Sequence, residues 1–230
     1  MWFEFRPGLK MRLNVRELIH QTILFEGLWD PPLTKLISET LEPGGVFVDV
    51  GAHSGYFTLL AAQQVGPLGR VIAIEPNPHI LDELVENIGA SGLTNVAVQR
   101  SACTDTDEER YLYIYDATNS SRSSLSSANV ASRDVALVHC TTLDSLLRNL
   151  GLDRVDLIKI DVEGAELSVL KGAAWTLQEL KPSIVLELDA NLLGGFDVGV
   201  EDVVAFLKNS QYVCHDLGGH SNYLFKRECS

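Results

Sequence analysis

Short apolar segments alternate with segments of helical composition in the first half of the chain. Three apolar segments, Val46–Val50, Arg70–Glu75 and Val96–Arg100, predict buried β-strands. The two segments between them, Ser54–Val65 and Asn77–Ala90, predict helices. Because crossovers between parallel strands are right-handed, this succession packs helices against a parallel sheet. We therefore predict an α/β fold, with a doubly wound, mostly parallel sheet that carries helices on both faces.

The same alternation returns in the second half, which indicates one domain over residues 1–230. The first part of that domain, residues 1–42, is predicted to be a helical extension of one or two helices that packs on the sheet. Further strands are predicted at Asp156–Asp161, Ser183–Asp189, Tyr212–His215 and Tyr223–Lys226, with helices at Glu163–Leu180 and Gly199–Asn209.

Residues 108–140 interrupt the alternation and predict a hairpin insert. Tyr111–Tyr115 and Val135–Cys140 are typical of two strands, which would pair antiparallel. The serine-rich segment between them has no periodicity. Composition alone therefore favours a flexible connector, and a lid over a binding site is the alternative.

Charge and composition disfavour several classes of protein and partner. The chain has 31 acidic and 18 basic residues, a net charge of −13, and its 46% of hydrophobic residues argues against disorder. Nucleic-acid binding depends on Lys and Arg that neutralise phosphates, so this charge disfavours nucleic acid. No apolar run reaches the roughly 18 residues of a membrane span, and the first segment lacks a signal-peptide core. The four cysteines are scattered, and we expect a cytoplasmic protein with reduced thiols.

Acidic and small residues follow the predicted strands at the edge of the sheet where ligands bind in open α/β folds. The turn Gly51–Gly55 follows the first strand, and its glycines let the backbone approach a ligand closely. Glu75 ends the second strand, where a carboxylate can accept hydrogen bonds from the two hydroxyls of a ribose. Together the two features predict a ligand that contains adenosine.

The glycine turn itself favours S-adenosylmethionine (SAM) over a dinucleotide. Ala52 and His53 break the G-x-G-x-x-G spacing of dinucleotide sites, and Asp49 lies beside the turn. A carboxylate there would repel a pyrophosphate in a poorly screened cleft and attract a cation. Because SAM carries an adenosine, a sulfonium and an ammonium without a phosphate, the acidic edge suits it.

Three motifs, VDVGAHSG, AIEPNP and KIDVEGAE, together resemble the FkbM family of SAM-dependent methyltransferases, within the Rossmann-like class I enzymes. The resemblance extends roughly from Gly27 to Ala173. It implies a seven-stranded sheet whose last strand is antiparallel, and SAM as cofactor. Ser123–Leu125 also fits the family pattern, which favours the lid interpretation of the insert. The contacts with SAM that the resemblance implies are at Asp30, Asp49, Gly51, His53, Gly55, Glu75, Asn77, Ser101 and Ala102.

Methyl transfer to a hydroxyl also removes a proton, which a general base can accept. Asp161 is the first candidate because it ends the strand expected beside the first one, and Glu187 is the second. Asp161 could instead cap the helix that follows it. Carboxylates of this kind could hold Mg²⁺, but no spacing requires a metal and none is predicted. Weaker candidates for the base are His139, His215 and His220.

The predicted function is therefore SAM-dependent O-methylation of a hydroxyl on a small-molecule natural product, a sugar or a glycan. Two alternatives stay open. One is an NAD(P)-dependent oxidoreductase on a similar sheet, and the other is a SAM-binding protein without catalytic activity. The sequence does not name the acceptor, and it is compatible with an oligomer of identical chains.

Overall fold

The computed structural model describes residues 1–116, 119–130, 134–217 and 221–227. Its strands are β1 (Trp2–Arg6), β2 (Leu9–Arg12), β3 (Val46–Val50), β4 (Arg70–Ile74), β5 (Val96–Gln99), β6 (Ala102–Cys103), β7 (Glu108–Asp116), β8 (Asn119–Ser124), β9 (Asp134–Thr141), β10 (Leu157–Ile160), β11 (Ser183–Glu187), β12 (Tyr212–Asp216) and β13 (Asn222–Arg227). Its helices are α1 (Leu18–Glu26), α2 (Pro31–Thr40), α3 (Tyr56–Val65), α4 (Pro78–Ala90), α5 (Leu143–Asn149), α6 (Glu166–Lys171), α7 (Ala190–Gly194) and α8 (Val200–Asn209), with a π-helical turn at Thr176–Leu180. In these described ranges, every helix is too short or too polar to cross a membrane.

Seven strands form the central sheet, in the order β12, β13, β11, β10, β3, β4, β5. Neighbours are parallel from β11 to β5, whereas β13 runs antiparallel to both β11 and β12. The predicted fold class and the antiparallel last strand are confirmed. The chain reverses its direction of travel across the sheet between β3 and β10, and such a switch point is where open α/β sheets bind ligands.

Helices cover both faces of the central sheet, and each face has its own apolar core. On one face, α2, α3 and α4 belong to a buried cluster that includes Phe47 and Val71. On the other face, α5, α6 and α8 belong to a cluster that includes Val48 and Ile72. Successive residues of a strand point to opposite faces, which is why neighbours in β3 and β4 enter different cores. The two cores hold the carboxyl ends of the strands in place.

The chain starts with a hairpin, so the helical prediction for residues 1–42 is wrong over its first part. β1 and β2 pair antiparallel. In β2, Leu9 and Met11 are buried whereas Lys10 and Arg12 are exposed. This period of two fits a strand and not a helix. Helices α1 and α2 form the rest of the extension, as predicted.

The predicted helix Glu163–Leu180 is also wrong in its extent. Helix α6 is short, and a separate helical segment starts near Trp175. The Asp144 side chain accepts the backbone N–H groups of Trp175 and Thr176 at 2.7 and 2.9 Å. Asp144 therefore caps a new helical start, because it satisfies N–H groups that a continuous helix would have bonded internally.

Residues 108–140 contain the predicted antiparallel pair, now β7 and β9, with Tyr111 opposite Leu137. Two further strands extend the pair into a four-stranded sheet in the order β6, β9, β7, β8. The serine-rich segment thus includes an edge strand, β8. Its composition does not predict a strand, because the hydrogen bonds that hold β8 in place come from residues that are distant in sequence, such as Asn77 and Glu163.

Candidate functional site

A cavity of about 350 Å³ opens at the carboxyl ends of β3, β4, β10 and β11, beside the switch point of the sheet. Three predicted cofactor contacts, Asp49, Gly55 and Asn77, do not line it. The remaining six and both catalytic candidates do: Asp30, Gly51, His53, Glu75, Ser101, Ala102, Asp161 and Glu187.

Apolar side chains from the two additions to the sheet close the rest of the cavity. Leu18 and Leu33 come from α1 and α2, and Leu112 and Leu125 come from the insert. The insert therefore lies over the carboxyl edge of the sheet, where the lid interpretation expects it.

The glycine turn brings the end of β3 against the end of β10. Gly51 has a φ of +80°, and a Cβ at this position would collide with the carbonyl oxygen of Asp161. Glycine is therefore required where the two loops touch. Gly55 lies at the start of α3 beside Leu84, so its role is packing against α4 and not contact with the cavity.

Glu75 lies on the cavity wall with both carboxylate oxygens held by backbone donors. The N–H of His53 donates to Oε2 at 2.9 Å, and the N–H of Asn77 donates to Oε1 at 2.8 Å. Burial raises the pKa of Glu75 to about 7, and these two hydrogen bonds offset only part of that rise. Each oxygen keeps a further lone pair for a ligand.

Asn77 lies just outside the cavity lining, where its side chain joins α4 to the insert. Its side-chain oxygen accepts the N–H of His79 at 3.0 Å, which caps α4. Its side-chain nitrogen donates to Ser123 Oγ at 2.8 Å. The turn that holds Glu75 is therefore tied to the strand that covers the cavity.

Lys159, which the sequence interpretation missed, lies under the turn with its charge surrounded by acids. Its Nζ is 3.1 Å from Asp161 Oδ2 and 3.6 Å from Asp49 Oδ1, and it donates to the carbonyl oxygen of Gly51 at 3.2 Å. Burial would lower the pKa of Lys159, but the two carboxylates raise it well above the usual value. A lysine in the middle of the apolar run Leu157–Ile160 was the signal that could have revealed it.

Asp49 is buried below the cavity and forms an ion pair with Lys159. It lies directly opposite Lys159 in the pairing of β3 with β10. Its Oδ2 accepts the hydroxyl of Thr58 at 2.6 Å. Burial raises the pKa of Asp49 above its usual value, while Lys159 and Thr58 oppose that rise.

Asp161 and Glu187 both line the cavity wall, and each shifts the pKa of the other. Burial would raise the pKa of Asp161, but Lys159 reverses the effect and holds it below the usual value. Burial and the charge of Asp161 raise the pKa of Glu187 to about 9. The surroundings therefore shift the two pKa values in opposite directions, toward the ionised form for Asp161 and toward the protonated form for Glu187.

Asp30 reaches the cavity from the N-terminal extension. Its Oδ1 caps α2 by accepting the N–H of Leu33 at 3.0 Å. Its Oδ2 accepts a hydrogen bond from Nδ2 of Asn222 in β13 at 2.6 Å. Asn222 also lines the cavity. A residue 192 positions away thus holds Asp30 in the wall.

The insert is fastened to the loops that follow β10 and β11. Asn129 Nδ2 donates to the carbonyl oxygens of Glu163 and Leu192 at 3.0 and 2.8 Å. A Cβ at Gly195 would collide with the Asn129 side chain, so glycine makes the slot for this amide. Ser124 Oγ adds a bond to the Glu163 carbonyl at 2.8 Å.

Two of the histidine candidates for the base, His139 and His215, do not line the cavity. The ring of His139 lies 3.6 Å from Asp107 on an exposed surface, and His215 is exposed on β12. His220 lies outside the described residues. Within the described ranges, no group of three or more His, Cys, Asp or Glu side chains is arranged to hold a metal ion.

Residues 49–214 match the family model described as the methyltransferase FkbM domain. The chain belongs to this family. The matched range includes Glu75, Lys159, Asp161 and Glu187, whereas Asp30 lies before it.

The hexuronic acid methyltransferase AglP of Haloferax volcanii is 25% identical to this member of the FkbM family over 158 residues, 69% of this chain and 62% of AglP. The chain spans less than two thirds of three curated relatives, AglP among them.

Solved structures share the fold of this member of the FkbM family. A methyltransferase FkbM from Methylobacillus flagellatus has a TM-score of 0.55 and 17% identity, over 90% of this chain and 53% of its own. A protein from Streptococcus mutans in complex with SAH has a TM-score of 0.51 and 10% identity, over 86% of this chain and 97% of its own.

Proposed function

We propose that the cavity binds SAM and that the enzyme transfers the methyl group to a hydroxyl of a small molecule or a sugar. The observation that carries the proposal is the charge of the cavity wall. The lysine on that wall, Lys159, is already paired with two carboxylates. The acids on the wall are Asp30, Glu75, Asp161, Glu163 and Glu187.

The residues present fit SAM in both charge and hydrogen bonding. A ligand with two positive groups and no phosphate is attracted by an acidic wall of limited solvent exposure. Glu75 would accept hydrogen bonds from the ribose hydroxyls. Ser101 and Ala102 would lie beside the adenine ring. Gly51 and His53 would border the amino-acid end, with Asp30 near its ammonium.

The same wall weighs against the oxidoreductase alternative. A dinucleotide brings two phosphate charges, which need unpaired cations or several backbone N–H donors. Among the described residues that line the cavity, the one lysine is held by acids and there is no arginine. The backbone N–H groups of His53 and Asn77 already donate to Glu75.

For catalysis, the paired carboxyls would accept the proton that the acceptor loses. Bound SAM supplies a methyl group on a sulfonium, which keeps the electron pair of the broken carbon–sulfur bond. As the acceptor oxygen forms its bond to carbon, its O–H bond breaks and the proton moves to Asp161. A general base in this position would increase the rate of methyl transfer by a factor of about 10²–10⁴. The loops fastened by Asn129 hold Asp161 near Glu187 and keep the site covered.

A hydroxyl as acceptor agrees with the carboxyl pair and with the name of AglP, whose substrate is a hexuronic acid. A pair of this kind has no use in a protein that only stores SAM. We therefore favour the enzyme over the non-catalytic alternative.

Calorimetry with SAM, SAH, NAD⁺ and NADP⁺ tests the ligand. We expect SAM and SAH to bind and both dinucleotides to fail. Glu75→Ala should weaken SAM at least about a hundredfold, because two hydrogen bonds to a charged group are lost. The matched control is Glu39→Ala, an exposed acid on α2. Dinucleotide binding, or equal SAM affinity in Glu75→Ala, would contradict the proposal.

A methylation screen tests the reaction. The enzyme with SAM is incubated with hydroxylated small molecules, including hexoses and uronic acids, and products are identified by mass and by the position of the new methyl group. We expect methyl groups on oxygen. SAM binding without any methylated product would support the non-catalytic alternative.

A further inference from the structure

Lys159 contacts one member of the carboxyl pair and not the other. Among the described residues, its ion pairs within 4.0 Å are with Asp161 and Asp49. Glu187 lines the same cavity wall as Asp161 but forms no ion pair with the lysine within that distance. The three elements that bear these groups, β3, β10 and β11, are neighbours in the sheet, so the order Asp49, Lys159, Asp161, Glu187 is fixed by its register.

The charges of this row cannot all be present together. Three ionised carboxylates and one ammonium would leave a net charge of −2 in a poorly solvated region, which burial disfavours. One proton reduces the charge to −1. The proton stays on the carboxyl that lies farthest from the ammonium, because the nearer carboxylates gain more from the positive charge.

We infer that Lys159 is a positioning residue that makes Asp161 the carboxylate that accepts the acceptor's proton, while Glu187, which forms no ion pair with the lysine, keeps its own proton. This inference rests on the proposed function for its place in the reaction. The assignment of the resting proton does not depend on any ligand.

The division of roles follows from this arrangement. An ionised Asp161 can take a proton from a hydroxyl, whereas a protonated Glu187 cannot. The Lys159 ion pair stabilises the ionised Asp161. Asp49 competes with Asp161 for the same ammonium, so it tunes how strongly Asp161 holds a proton. The charged and titratable groups around Asp161 are His53 in the turn, Asp49 on β3, Lys159 on β10, Glu163 and Glu166 after β10, and Glu187 on β11.

The test follows individual carboxyl groups by ¹³C NMR in the full chain, labelled at the side-chain carboxyls of Asp and Glu, without SAM or acceptor. Asp161→Asn and Glu187→Gln assign the two signals. In the unchanged chain, we expect Asp161 to be ionised and Glu187 protonated at pH 7. In Lys159→Met, the midpoint of the Asp161 titration should rise by at least about one pH unit.

Two further variants keep the test decisive if Lys159→Met does not fold. Lys159→Arg retains the charge and should leave Asp161 ionised at pH 7. Asp49→Asn removes the competing carboxylate, keeps the acceptor for Thr58, and should lower the Asp161 midpoint. If Lys159 had a packing role only, the Asp161 midpoint in the unchanged chain and in Lys159→Arg would lie at or above that of an ordinary aspartate.

The inference is overturned if Asp161 titrates alike in all chains that fold, or if Glu187 ionises before Asp161. Calorimetry with SAM on the same samples separates this outcome from failure of the proposed function. A chain that shows the expected protonation order but does not bind SAM contradicts the function alone.

Discussion

Two carboxylates in one cavity are buried in different ways. Glu75 is held by two backbone N–H groups, and its pKa rises to about 7. Asp161 lies beside Lys159, and its pKa falls below the usual value. At Glu75, the two neutral donors do not offset the effect of burial on the pKa, whereas at Asp161 the positive charge of Lys159 does. The Glu75 side is suited to a ligand that brings its own hydrogen-bond donors, and the Asp161 side is ready to accept a proton.

Asp161→Asn should have the largest effect, because it removes the proton acceptor and leaves the cavity shape nearly intact. We expect the methylation rate to fall by about 10²–10⁴, with SAM affinity close to that of the unchanged chain. Turnover with an acceptor from the screen and calorimetry with SAM measure the two quantities. Asp153→Asn, at an exposed position, is the matched control. Equal rates would reduce Asp161 to a helix cap.

The pH dependence of SAM affinity tests the Glu75 side. Ribose hydroxyls donate to the ionised form, so binding at low pH must first remove the proton from Glu75. With a pKa of about 7 in the free protein, affinity should rise by up to about tenfold per pH unit from pH 5 to 7 and level off above. Calorimetry across this range measures it.

Glu75→Gln is the control for that pH profile, since an amide does not titrate. Its SAM affinity should be weaker and flat between pH 5 and 7. An unchanged slope in Glu75→Gln would assign the pH dependence to another group.

Thr58→Val should have the smallest effect. It changes the surroundings of Asp49, the buried carboxylate that pairs with Lys159. It removes the hydroxyl that donates to Asp49 at 2.6 Å while it preserves the side-chain volume. We expect the free energy of unfolding to fall by about 1–2 kcal/mol. Urea denaturation measures the change, and Thr94→Val at an exposed position is the comparison. Equal losses in both variants would mean that the Asp49 bond adds nothing beyond a surface threonine.

Strand ends are predictable from sequence because hydrophobic periodicity and sheet topology are local and regular. These two signals suffice to place Glu75, Asp161 and Glu187 at one edge of the sheet. Lys159 was missed because its importance comes from the register of β10 on β3, which places it opposite Asp49. Spacing along the chain contains no such information.

The insert shows the same limit. Nothing within its serine-rich segment demands a strand, since Ser123 and Ser124 are ordered by Asn77 and by the carbonyl of Glu163. The opening hairpin differs, because the alternation of Leu9 and Met11 was present in the sequence and a period of two could have been recognised.

The hydrogen bond between Asp30 and Asn222 joins an early loop to the last strand of the sheet at the cavity wall. A ribosome must therefore release that strand before this wall can be closed, however early the central sheet forms. Until that moment the nascent chain presents Asp30 without the amide that holds it, so ligand capture should be among the last properties that a newly made molecule acquires.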